Sequence, residues 1–289
     1  MNDNRIIDIN NLCKSYKNFS LDNISFSLDK GYVMGFIGAN GAGKSTTIKL
    51  MMNIIKKDSG SIKLFGMDNL ENEIEIKNRI GFVYDENFYF EDFTIQKMKD
   101  LIAPFYSKWD DEAFIRYTKD FDLDPEKKIR KLSKGMKTKF SLAMALSHNA
   151  DLIIMDEPTA GLDPVFRREM LDILHYIMED ENKGIFFSTH ITSDLDKIAD
   201  YITFIDSGKI IFSKSKEEID DTYYIIRGAK QLIDEHIKEI LIGYKENSFG
   251  FEGLTKNSQI VREFLGDKVI LEKASLEDIM IGYKRHKGR

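Results

Sequence analysis

The 289 residues are enough for one large domain and a smaller one, and a composition of 42% hydrophobic and 31% charged residues describes a soluble globular chain. A net charge of −6, from 42 basic and 48 acidic residues, disfavours broad nucleic-acid binding. The longest apolar runs, such as Leu152 to Met155, fall far short of the roughly 20 residues of a membrane span, so any work at a membrane needs partners that carry the spans. Met1-Asn2-Asp3-Asn4-Arg5 lacks the basic-then-apolar pattern of a secretory signal, and the lone Cys13 has no partner for an intrachain disulfide. The cytoplasm is the expected compartment.

In chain order, Ile6 to Ile9 and Ile24 to Leu28 predict two short strands around a polar turn that contains Tyr16. Tyr32 to Ile37 is an apolar, β-prone run, and Thr46 to Met52 has helical spacing. Between them Gly38-Ala39-Asn40-Gly41-Ala42-Gly43-Lys44-Ser45-Thr46 matches the phosphate loop G-x-x-x-x-G-K-[ST] at every fixed position. Glycines there let backbone N–H groups turn onto phosphate oxygens at a helix N-terminus. Lys44 can reach the β and γ phosphates, and the Ser45 hydroxyl can ligate Mg²⁺. The first ligand implied is a nucleoside triphosphate.

Asp58-Ser59-Gly60 reads as a turn, Ser61 to Phe65 as a strand and Ile80 to Tyr84 as a buried strand. From about 90 to 150 the periodicity is helical, with Met98, Leu101 and Ile102 and then Phe114, Ile115 and Thr118 recurring at helical spacing, so an all-helical insertion is expected. Leu152 to Asp156 and Gly184 to Ser188 return to continuous apolar strands, which points to a largely parallel sheet covered on both faces. Beyond about 215 a small α+β appendage is expected: a strand over Thr222 to Arg227, an amphipathic helix over Ala229 to Ile242, a strand over Lys268 to Leu271 and a capped helix start at Ser275. It carries no phosphate loop or metal-spaced Cys and His; His236 and His286 stand alone, and the basic end Lys284 to Arg289 reads as a solvated tail. The fold class is therefore α/β: a phosphate-loop core with an antiparallel β layer and an inserted helical subdomain, and a small α+β C-terminal domain. The boundaries expected are 1–215 and 216–289.

A phosphate loop alone leaves kinases, GTPases, helicases and transport ATPases open. The only Asn-Lys, Asn182-Lys183, runs into Gly184-Ile185, so the N-K-x-D expected for guanine recognition is missing. Leu132-Ser133-Lys134-Gly135-Met136, then Leu152-Ile153-Ile154-Met155-Asp156-Glu157-Pro158-Thr159-Ala160-Gly161-Leu162-Asp163-Pro164, then Ser188-Thr189-His190 resemble the nucleotide-binding subunits of ATP-binding cassette (ABC) transporters, over about residues 5 to 215. The resemblance implies that Asp156 orders Mg²⁺ through water, that Glu157 is the general base for the attacking water, and that His190 contacts the γ-phosphate. It further implies that Asp163 links two nucleotide sites, that Tyr16 stacks on adenine, and that Ser133 and Gly135 close on the ATP of a second cassette.

Two departures stand out. The family's usual L-S-G-G-Q carries Lys134 and Met136 at its third and fifth positions, and the added ammonium either strengthens the phosphate contact or projects into solvent. The strand Ile80 to Tyr84 leads into Asp85-Glu86 where the family has a glutamine. A carboxylate at Asp85 keeps an oxygen for Mg²⁺ but adds negative charge beside phosphate. Asn87-Phe88-Tyr89-Phe90 offers an aromatic surface for membrane subunits, whereas Lys137-Thr138-Lys139-Phe140 reads as the solvated flank of the signature helix.

Together these features look like the ATPase subunits of Gram-positive ABC-2-type exporters, a branch that includes subunits linked to antimicrobial-peptide resistance and to export of amphipathic toxins such as phenol-soluble modulins. That implies ATP and Mg²⁺ as cofactors, and as partners transmembrane permease subunits and a second ABC ATPase subunit, identical or not. The expected location is the inner face of the cell membrane, with no direct nucleic-acid contact. The rival class is a soluble cassette protein acting on ribosomes or nucleic acid. Such proteins usually carry two cassettes in one chain, and this chain has one phosphate loop.

Overall fold

A hairpin opens the chain. β1 (Arg5–Tyr16) and β2 (Phe19–Asp29) pair from Arg5↔Asp29 to Tyr16↔Phe19. The computed structural model describes residues 4–84 and 89–287, and these divide into two compact units between Ser213 and Lys214. The hairpin strands are longer than the sequence suggested, and Tyr16 closes β1 instead of sitting in a turn. Register shifts between Ile9 and Leu12 and between Leu12 and Lys14, with Asn11 at φ +48° and Asn23 at φ +50°, mark bulges that interrupt the period-2 pattern.

β3 (Val33–Ile37) is buried throughout and runs into the phosphate loop and α1 (Lys44–Met51). β4 (Ser59–Leu64) and β5 (Met67–Asp68) return to the hairpin, completing an antiparallel sheet in the order β2-β1-β4-β5. Ser59 and Gly60 therefore belong to a strand and not to a turn. After α2 (Glu73–Asn78) comes β6 (Ile80–Val83). The helical stretch follows as α3 (Ile95–Ile102), α4 (Asp111–Asp120) and α5 (Lys134–Leu146), capped by Thr94, Asp110 and Ser133.

β7 (Leu152–Asp156), α6 (Pro164–Ile177), β8 (Gly184–Thr189), α7 (Thr192–Ile198), β9 (Tyr201–Asp206) and β10 (Lys209–Ser215) finish the first unit. The second sheet runs β10-β9-β3-β8-β7-β6, and its pairs β9-β3, β3-β8, β8-β7 and β7-β6 are parallel. Every residue of β3, β7 and β8 is buried, which is why these strands read as unbroken apolar runs. Phe26 joins the two sheets, its ring 5.4 Å from Phe36 and 5.8 Å from Phe186. In this topology the C-terminal ends of β3, β7 and β8 lie side by side, and from them spring the phosphate loop, Glu157 and His190.

The second unit opens with α8 (Lys216–Thr222), started by a capping box between Ser215 and Glu218. Then come β11 (Tyr224–Gly228), α9 (Glu235–Ile240), β12 (Leu241–Glu246), β13 (Phe251–Thr255), α10 (Ser258–Leu265), β14 (Val269–Lys273) and α11 (Leu276–Lys287). The antiparallel order β12-β13-β11-β14 makes β11 to β14 a split βαβ arrangement, with Ile226, Ile237, Leu241, Phe251 and Val261 in its core. The helix expected over Ala229 to Ile242 is corrected. Asp234 caps a short helix by accepting from Ile237 N at 2.8 Å, and the chain turns into a strand at Leu241. The run Ile240-Leu241-Ile242 satisfies either period, and only cross-strand pairing decides between them.

Candidate functional site

β3 delivers the phosphate loop and α1 takes it up with Gly43 as N-cap at φ +118°, a conformation that favours glycine. A Cβ on Gly43 would also stand 2.6 Å from Leu21 Cδ2 and 3.0 Å from Phe19 Cζ, and one on Gly38 would stand 2.4 Å from Ile205 O. The loop backbone is thus pressed onto its own core. At Gly41, by contrast, a Cβ would meet nothing within 4 Å, so the outer rim of the cradle is open. Asn40 and Gly41 are exposed, Ser45 and Thr46 half-buried, and Thr47 holds the first turn by donating to Gly43 O at 2.9 Å.

Lys44 is only 5% exposed. Its ammonium donates to Gly38 O at 2.8 Å and pairs with Glu157 Oε1 at 3.0 Å. Glu157 follows the last residue of β7 with φ +48°, a left-handed backbone that a glutamate adopts at a cost of order 1–3 kcal/mol. Its N–H donates to Ser188 O at 3.0 Å. Its second carboxylate oxygen lies 2.7 Å from His190 Nδ1. His190 itself is partly open to solvent, and its backbone N–H also reaches Glu157 at 3.3 Å.

Asp156 lies beneath this cluster, 2% exposed. Its Oδ1 accepts from Ser188 Oγ at 2.5 Å, and the Ser45 hydroxyl also bonds it. Burial raises the Asp156 carboxyl above the usual carboxylate range, opposed by hydrogen bonds from Ser188 and Ser45, with neighbouring Glu157 adding to the rise and Lys44 countering it. A buried carboxylate beside a serine hydroxyl suits a hard divalent cation whose other ligands are water and phosphate oxygen. Among the described residues no group of three or more His, Cys, Asp or Glu could form an all-protein metal cage.

Lys44, Ser45, Asp156, Glu157 and His190 are therefore brought together as the sequence led us to expect. Ser188, which sequence reasoning left without a role, joins them by bonding Asp156 and also accepting Glu157 N at 3.2 Å; its signal was its place directly before Thr189-His190. Ser133 and Gly135 sit elsewhere. Ser133 caps α5 by accepting from Met136 N at 3.2 Å, and the nearest neighbours of a Cβ on Gly135 would be Leu162 and Phe166. Lys134 runs beside Gly161, where an added Cβ would stand 3.5 Å from its Cδ. Asp163 caps α6, accepting from Val165 N and Phe166 N at 3.1 and 3.0 Å. Tyr16 is half exposed, with Lys14 Nζ 5.7 Å from its ring centre.

Asp85 lies outside the described residues, as do Glu86, Asn87 and Phe88. Of the aromatic surface expected here, Tyr89 turns inward. Its ring is 4.9 Å from Phe140, its hydroxyl is 3.2 Å from Ser141 Oγ, and burial pushes that hydroxyl up to about 12. Phe90 stays exposed. Lys137 and Lys139, on the flank of α5, pair with Glu91 and Glu169, while Phe140 is buried.

A glycine cradle with a buried lysine, a serine–aspartate pair beneath it and a glutamate beside a histidine at adjoining strand ends define a phosphate-loop nucleoside triphosphatase. The comparisons agree. The ABC transporter family profile matches residues 21–160. The bacitracin transport ATP-binding protein BcrA of Bacillus licheniformis is 31% identical over 94% of this chain and 90% of its own length. The lantibiotic transport ATP-binding protein SrtF of Streptococcus pyogenes is 32% identical over 72% of this chain and 90% of its own. Among solved structures, a dimeric ATP-binding cassette with ADP and Pi superposes with a TM-score of 0.65 at 21% identity, over 72% of this chain and 98% of that one. The chain belongs to the ATP-binding subunits of ABC transporters, and is an ATPase of that family.

Proposed function

We propose that this chain is the motor of an exporter of amphipathic peptides, with residues 1–215 as the ATPase domain and 216–289 as an accessory domain without chemistry. The observation that carries the enzymatic part is the meeting of Lys44, Glu157 and His190 around one point at the strand ends. ATP phosphates lie in the cradle of Gly38, Asn40, Gly41, Gly43 and Thr46, with Lys44 against the β and γ groups and Tyr16 against the adenine. Ser45 directly, and Asp156 through water, would hold Mg²⁺, which when bound neutralises phosphate charge. Glu157 accepts the proton of the attacking water, and His190 donates from Nδ1 to Glu157 and so fixes the direction of that carboxylate.

Ser133 and Gly135 stand apart from this cluster, next to Leu162 and Phe166, which supports a head-to-tail pair of cassettes in which each signature serves the other's nucleotide. Among the described residues no helix is long and apolar enough to cross a membrane, so transport requires separate permease subunits, with this chain peripheral on their cytoplasmic side. The names of the relatives favour peptide antibiotics as cargo. The deciding experiment is co-purification from detergent-solubilised membranes, followed by ATP hydrolysis in vesicles with added peptide. A multi-span partner and hydrolysis stimulated by bacitracin-like or lantibiotic-like peptides support the proposal. A fully active ATPase that captures ribosomes and no membrane subunit would overturn it in favour of the soluble class.

A further inference from the structure

Two segments determine where the reacting groups stand. One runs from Glu157 through Gly161 and Asp163 into α6; the other runs from Ser188 through His190 into α7. Across the base of both, Arg167 in the opening of α6 meets Asp194 in the first turn of α7. Arg167 Nε donates to Asp194 Oδ1 at 2.6 Å, and its Nη2 donates to Ser193 Oγ at 3.1 Å. The Asp194 side chain is 1% exposed and that of Arg167 27%.

We infer that Arg167 and Asp194 tie the His190 segment to the Glu157–Asp163 segment and that Arg167 is a positioning residue for hydrolysis. The tie touches no reacting atom. It acts because each helix begins immediately after a functional loop, so fixing the two helix starts fixes the spacing of the loops. His190 is otherwise held by its own contacts to Glu157 and by Ile191 N donating to Thr189 Oγ1 at 2.9 Å, all within the loops themselves.

Energetics separate this role from plain stabilisation. A buried ion pair contributes little net stability, because desolvation offsets the attraction. Here the Asp194 Oδ2 oxygen is buried without a hydrogen-bond partner, a further cost that an apolar pair would avoid. What the pair supplies is a fixed direction, since the guanidinium fork engages two successive residues of α7.

The inference rests on Glu157 acting as base and His190 as the group that orients it, and the test keeps the two separate. Arg167→Met, Arg167→Lys and Asp194→Asn are made in the full chain, with Glu157→Gln alongside, and ATP affinity, KM, kcat and melting are measured for each. Expected is a kcat lowered about 10–100-fold in Arg167→Met and Asp194→Asn, the scale of misplaced catalytic groups, with KM within about twofold. Arg167→Lys should recover only part, and the double variant should be no slower than the slower single one, as for residues acting as a unit. Asp194→Asn, being isosteric, keeps the test open if Arg167→Met fails to fold. Folded variants with wild-type kcat overturn the inference, and so does a kcat loss matched by an equal loss of ATP affinity. A wild-type kcat in Glu157→Gln would instead strike the assignment of the base.

Discussion

Lys44 Nζ stands 3.0 Å from Glu157 Oε1, so the cation suited to phosphate is held by the carboxylate suited to water. A phosphate bound at Lys44, as proposed, would compete with that carboxylate. The buried setting makes the exchange costly, since both groups are largely removed from solvent.

Glu157→Gln should therefore do two things at once. Turnover should fall by roughly 10²-fold or more, the scale of a lost general base, while ATP binds more tightly because the competing negative charge is gone. Equilibrium binding of a fluorescent ATP analogue, paired with steady-state phosphate release, measures both. Unchanged affinity would mean that the ion pair does not oppose phosphate binding.

Asp156 gives a prediction with a pH sign. Burial raises its carboxyl in the folded chain, so in the window above the ordinary value of 3.8 the folded state holds more protons than the unfolded one. Stability then falls as pH rises from that ordinary value through the folded one, because the ionised form is the one that burial penalises. Asp156→Asn should raise the melting temperature of the protein without nucleotide at pH 7 by about 2–4 °C, and the gain should shrink towards pH 4. Mg²⁺-dependent hydrolysis should be lost in the same variant. A lower melting temperature at pH 7 would show that the Ser188 and Ser45 hydrogen bonds outweigh burial.

The slow Glu157→Gln variant should also run as a dimer with Mg-ATP and as a monomer without it, since a ligand at the seam stabilises only the closed form. Light scattering at several ATP concentrations checks this. A mass independent of nucleotide counts against the sandwich. Ser133→Arg, which places bulk where α5 begins, should return the variant to a monomer while leaving ATP binding in the cradle intact.

Much of the site was legible in the sequence because its chemistry is local. The phosphate loop, Asp156-Glu157 and Ser188-Thr189-His190 each lie at the end of a continuously buried strand, and such runs announce themselves without reference to the rest of the chain. The long-range ties were not legible. Ser188 bonds Asp156 across neighbouring strands, and Arg167 meets Asp194 between helices; nothing in the residues near either partner names the other. Strand length in the first hairpin was hidden by bulges at Asn11 and Asn23. In the second unit, β12 was missed because the run after Asp234 fits both helical and strand periods, and pairing with β13 resolves it.

Residues 214–289 form the second compact unit. Its sheet closes on a core of its own, built from Ile226, Ile237, Leu241, Phe251 and Val261. The first unit has a separate core, in which Ile9, Phe26, Phe36, Ile154 and Phe186 are buried between the two sheets. A chain ended after Ser215 keeps every strand of the sheet that carries the phosphate loop, since β10 ends at that residue. It should therefore melt cooperatively and bind ATP with affinity within about twofold of the full chain, the expectation for independently folding domains. Circular dichroism melting and nucleotide titration check the two statements in turn. A truncated chain that folds but has lost ATP binding would mean that residues beyond 215 contribute to the nucleotide site, and the proposed boundary would have to move.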